Sequence, residues 1–145
     1  MKAVKYFESF LFEGVVKKQS KDKSRAEFLL KESEKGYRAL LESVNKIGIN
    51  EDNANSNIKN CYDIIMEIIR AKMLLEGYNA SGKGAHEAEV AYLRNLKFDE
   101  SDVQFLDQMR FFRNGMLYYG TILDKEYAEK TLKFTKSILP KLKKL

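Results

Sequence analysis

Apolar positions recur at helical spacing through nearly the whole chain. Phe7, Phe10, Leu11 and Val15 fall at i, i+3, i+4 and i+8, one stripe of an amphipathic helix. The chain is expected to turn in "KKQSKDK". Ser24 and Glu27, spaced as a capping box, then open a second helix. Its stripe is Ala26, Leu29, Leu30, Tyr37, Leu40, Leu41 and Val44, and it should end near Ile47 and Gly48. The run "NEDNANSN" is rich in capping and turning residues and reads as a loop. A third helix follows, with Ile58, Cys61, Tyr62, Ile65, Ile69 and Met73 facing the core. Its polar face is thin, so it is expected at the centre of the molecule, stopping at Gly77.

"NASGKG" reads as a second loop, followed by a short helix from about His86 to Asn95. Asp99 and Asp102 open a fifth helix, where their charge complements the N-terminal dipole. Its stripe is Phe105, Met109, Phe112 and Met116, and Gly120 is expected to end it. Asp124 caps a last helix carrying Ala128, Leu132, Ile138, Leu139 and Leu142, with Pro140 placed to bend it late. No strand-like alternation competes and no repeat is visible. The pattern predicts an all-α protein, an antiparallel helical bundle of five to six helices.

A length of 145 residues fits a single domain over residues 1–145. Such a chain buries roughly two thirds of its unfolded surface and needs no metal or disulfide to hold together. Its single cysteine, Cys61, has no partner within the chain and sits in "CYDIIMEII", the setting of an inert buried thiol. A reducing, cytoplasmic location fits. The N-terminal apolar patch is short and interrupted by Glu8 and Glu13, unlike a secretory signal. No stretch reaches the ~18 apolar residues of a membrane span, and no membrane partner is expected.

The formal net charge of +5 and pI near 9.1 favour polyanionic partners mildly. The basic runs "KKQSKDKSR" and "LPKLKKL" also read as solvated helix ends. "GYNASGKG", residues 77–84, nearly spells a nucleotide phosphate loop. It ends in glycine where the magnesium-binding hydroxyl belongs, however, and it follows a helix rather than a strand. What remains is Lys83 beside a helix N-terminus, where free N–H groups hold anions, or an ordinary flexible turn. His86 is the only histidine, and no ligand spacing accompanies it, so neither a metal site nor a cofactor is expected. Its ordinary role would be helix capping.

The fifth helix carries the most suggestive chemistry. Arg110 and Arg113 share one face beside the apolar stripe, flanked by Asn114, Tyr118 and Tyr119. Arginine grips phosphate through two N–H groups, and tyrosine stacks on bases. The same arginines would equally suit ion pairs at a helix or dimer contact.

In the order of these parts the chain resembles the HEPN superfamily, small helical domains of prokaryotes and higher eukaryotes. The resemblance runs from about Ser24 to the C-terminus. It covers the long helix, "CYDIIMEIIRAKMLLEGY", "SGKGAHEAEVAYL" and the acidic-capped helix ending in "RFFRNGMLYYG". The family signature is an arginine, usually followed by asparagine, then a histidine four to six residues on. Arg113 and Asn114 match it, and Tyr118 stands where the histidine belongs. The resemblance implies a homodimer with the arginine motif in a cleft between subunits. It also implies roles as RNA- or nucleotide-binding modules, as metal-independent ribonucleases of toxin–antitoxin and defence systems, or as partners of a minimal nucleotidyltransferase. A phenol titrating at about 10 is a poor substitute for an imidazole at about 6.5 in proton transfer near neutral pH. The expectation is therefore a non-catalytic module, with Arg113 on phosphate, Asn114 positioning the ligand and Tyr118 bonding or stacking. Arg110, Lys83 and the basic termini would add charge. The alternatives are a divergent ribonuclease using Arg113 with Tyr118 or His86, and a protein-interaction module in which the arginines only tie an interface.

Overall fold

The computed structural model describes residues 2–144; Met1 and Leu145, the last of the basic run, lie outside them. Six helices are present among the described residues: α1 (Phe7–Phe12), α2 (Lys23–Ile47), α3 (Ala54–Leu75), α4 (Ala85–Asn95), α5 (Glu100–Tyr119) and α6 (Lys125–Lys144). The molecule is an all-α helical bundle. It carries one addition that the hydrophobic pattern does not announce, a ribbon of two short strands, β1 (Val16–Lys18) and β2 (Tyr78–Ala80). These pair antiparallel, with Val16 opposite Ala80 and Lys18 opposite Tyr78.

The apolar runs place α3 at the centre. Ile58, Cys61, Ile65, Ile69, Met73 and Leu74 are all buried on it, with Ile64 and Ile68 on further sides. Glu32 of α2 shares a groove with Glu67 of α3, and Ser43 shares its other end with Ser56, so α2 and α3 run antiparallel. The buried Ser33 hydroxyl ties the pair by donating to the Ile64 carbonyl at 2.9 Å. α6 packs along α3 with Ala128 beside Ile58. The helix continues past Pro140 to Lys144.

The N-terminal segment is fastened to α4 by Arg94. Its guanidinium donates to the Lys5 and Val4 carbonyls at 2.8 Å each and to Glu100. Phe7, Tyr78 and Tyr92 meet edge to face, with centroids 4.8 to 6.1 Å apart. They close the core beneath the ribbon.

Two local expectations change. The cap of α2 is Asp22, whose carboxylate accepts from the Arg25 N–H at 3.1 Å, and Ser24 lies inside the first turn. Two residues upstream, an aspartate reaches the first free donors before the serine does. α1 stops at Phe12, so Val15 leads into the ribbon instead of lying on the helix. The Asp99 and Asp124 caps are formed as the sequence indicates, on the N–H groups of Asp102 and Tyr127.

Candidate functional site

α3 is almost wholly apolar between Cys61 and Ala71, apart from the stripe Asp63, Glu67 and Arg70 at i, i+4 and i+7. This stripe forms the floor of an open cleft of about 430 Å³. The cleft is completed by Tyr62 and Met66 of α3, His86 of α4 and Arg113 of α5. Three helices thus bring together residues far apart in the chain.

Arg70 is the anchor. Its Nε and Nη2 donate to the two oxygens of Glu89 at 2.8 and 3.1 Å, a bidentate pair with the carboxylate almost fully buried. Burial alone would push the Glu89 carboxyl up. Hydrogen bonds from His86 and Arg70 outweigh that, and it is held below its ordinary value. His86 Nδ1 lies 3.1 Å from Glu89 Oε1. An ionised carboxylate only accepts, so Nδ1 carries the proton there and, in the neutral ring, Nε2 is the free nitrogen. The His86 side chain is 55% exposed, so that nitrogen belongs to an accessible ring.

Arg113 donates from Nε to Asp63 Oδ1 at 3.1 Å, and its guanidinium lies 5.4 Å from the centroid of the Tyr62 ring. Neither of its Nη nitrogens donates to another of the described residues. Glu67, on the same floor, is raised by burial and by the like charges of Asp63 and Glu32. The lining is balanced: Arg70 and Arg113 face Asp63 and Glu67, so each arginine already has an acidic partner.

The other residues singled out in the sequence lie elsewhere. Arg110 is tied to Asp107 at 2.7 Å and to Glu87 at 3.5 Å, at the contact between α5 and α4. Asn114 and Tyr118 do not line the Arg113 cleft. They border a separate aromatic recess of about 340 Å³ with Phe111, Phe112, Gly115, Tyr119 and Thr121. Helical geometry requires this separation, because five residues carry Tyr118 roughly 140° around the axis from Arg113. Lys83 is exposed in the loop before α4 and lines neither recess.

The recess exists because the chain after α5 folds back on it. The Thr121 N–H donates to the Gly115 carbonyl at 3.1 Å, and a Cβ at Gly115 would stand 2.6 Å from Thr121 Oγ1. The glycine of "RNG" is thereby explained by packing.

Tyr62, Asp63, Glu67, Arg70 and Glu89 were not among the sequence candidates. The thin polar face of the third helix is the signal for Asp63, Glu67 and Arg70, since a central helix has little reason to present three ionisable groups in one stripe; Glu89, on α4, has none.

No family model matches the chain, and neither a curated protein nor a solved structure matches it. The class defined by fold and site is a helical bundle with an arginine–histidine cleft between its third, fourth and fifth helices.

Proposed function

We propose that this chain is a HEPN-like helical domain that binds RNA or a nucleotide by its phosphate, in the cleft between α3, α4 and α5. The observation that carries this reading is the meeting of Arg113, Arg70 and His86 around one open cleft. The motif arginine and the only histidine lie together there, although the histidine comes from α4 and not from the arginine's own helix. Asp63 holds Arg113 through one nitrogen and is itself 51% exposed. Ion pairs of that kind contribute about 0–1 kcal/mol, which a bidentate phosphate readily displaces.

Fluorescence anisotropy with a labelled single-stranded RNA at low salt tests the reading. Wild-type protein should bind, Arg113→Ala should weaken binding by ~10-fold or more, and affinity should fall steeply with added salt. No measurable affinity of the wild type at low salt would sink it.

A second reading, a metal-independent ribonuclease, is favoured by one specific observation. Glu89 fixes the His86 ring by Nδ1 and leaves Nε2 free, the arrangement of an oriented acid–base histidine. Tyr118 has no part in it. Cleavage of RNA by the wild type that His86→Ala abolishes, with binding retained, would establish this reading over simple binding.

A further inference from the structure

The place of Tyr62 on α3 puts it in the core, and at 2% exposure it is buried. A core residue in that position needs only a ring. Yet its hydroxyl is shielded from solvent and has no hydrogen-bond partner, alone in this among the buried side chains of the described residues. Folded proteins leave few buried polar groups unmet, and each one asks for a reason. Tyr62 also lines the cleft, beneath the guanidinium of Arg113.

Its surroundings define the missing partner. Burial, and then Glu89, raise the phenol's titration above its ordinary value of 10.0, while Arg110, Arg113 and Arg70 only partly oppose this. The group therefore stays an O–H donor through the neutral range and is no base. The nearby carboxylate that might accept from it, Glu89, is already engaged by Arg70 and His86. A donor among three guanidinium groups calls for an acceptor that carries negative charge. A cation would meet the guanidinium groups of Arg70 and Arg113 beside a hydroxyl that needs an acceptor, and an apolar ligand would leave the hydroxyl unmet.

We propose that Tyr62 is a ligand-recognition residue whose hydroxyl donates to a phosphoryl oxygen held between Arg113 and Arg70. This rests on the phosphate-binding reading above and names the donor that makes the cleft selective for oxyanions. Arg113 must leave Asp63 for the incoming anion, and their exposed ion pair is the loosely held part of the wall. Arg70 stays in place on Glu89 and presents its Nη1, which donates to none of the described residues.

The experiment compares the full-length wild type with Tyr62→Phe, which keeps the ring and its contact with Arg113. The probes are inorganic phosphate and a short RNA, titrated by calorimetry and anisotropy, with melting temperatures recorded without ligand. Tyr62→Phe should bind both probes ~10-fold more weakly. Without ligand it should melt at the wild-type temperature or higher, since a buried unmet hydroxyl has been removed. Equal affinities would overturn the proposal, leaving the phosphate-binding reading intact. Failure of the wild type itself to bind either probe would remove that reading and this one together. A clear drop in the ligand-free melting temperature of Tyr62→Phe would also overturn it, because the hydroxyl would then have a structural partner, such as a buried water.

Discussion

Glu89 is 3% exposed and charged, and Arg70 and His86 both depend on it for their orientation. Replacing one member of a buried pair strands the other, so Glu89→Gln should lower stability by about 3 kcal/mol at pH 7, read by urea or thermal unfolding. The sign with pH follows from the depressed carboxyl. Its contribution is present above the ordinary value of 4.5 and is lost as the pH falls through the lower folded value. The gap between wild type and Glu89→Gln should therefore close in strong acid. Glu67 behaves in the opposite sense. Burial and the charges of Asp63 and Glu32 raise it, so its ionised form weighs against the folded state. The favourable contribution of its protonated form is complete below 4.5 and is lost as the pH rises through the folded value. Glu67→Gln should thus raise the melting temperature at pH 7, with the gain gone near pH 4. It should also tighten RNA binding by removing a carboxylate from the lining. A melting curve unaffected at both pH values would show that Glu67 is solvated like any surface acid.

At the scale of elements, the ribbon depends on a single backbone position. Gly77 has φ +83°, and a Cβ there would stand 2.7 Å from the Gln19 carbonyl oxygen, a backbone atom that cannot turn aside. The Gly77 carbonyl in turn accepts from the Gln19 N–H at 2.8 Å. Gly77→Ala should cost about 2 kcal/mol or more and loosen residues 16–19 in hydrogen exchange before the bundle itself opens. Exchange that accelerates uniformly with the rest of the bundle would show the ribbon to be part of its cooperative unit. The helices were legible because their apolar stripes, caps and stopping glycines agree with one another. The ribbon was not, since "VKK" and "YNA" are too short to alternate and are paired by the return of distant chain to Val15–Gln19. The cleft was half legible. Arg113 and His86 announced themselves by type, whereas Arg70, Glu67 and Asp63 showed only as polar gaps in an apolar helix. The split between Arg113 and Tyr118 follows from the helical angle once α5 is known to run unbroken through both.

At the scale of the whole molecule, charge and apolar surface divide between two faces of α5. Arg113 turns toward α3 and α4. Phe111, Leu117, Tyr118 and Tyr119, with Ile122 just beyond the helix, are exposed, the last two at 85% and 84%. A cluster of large apolar side chains at one helix end is the kind of surface that partners cover. A homodimer, which the family resemblance implies, would use it, with the cleft left open on the other face. Tyr119→Lys combined with Ile122→Lys should then shift the sedimentation profile from dimer to monomer, while Arg113→Ala should leave the profile unchanged. That pairing separates two roles for the arginine. In a protein-interaction module held by the motif, Arg113→Ala would dissociate the dimer and leave RNA binding absent in every variant. In a phosphate-binding module, it would weaken RNA binding with the dimer preserved. A wild-type chain that sediments as a monomer at high concentration would remove the dimer that the resemblance implies and leave the cleft to act within a single copy, since Tyr62, Arg70, His86 and Arg113 all come from one chain.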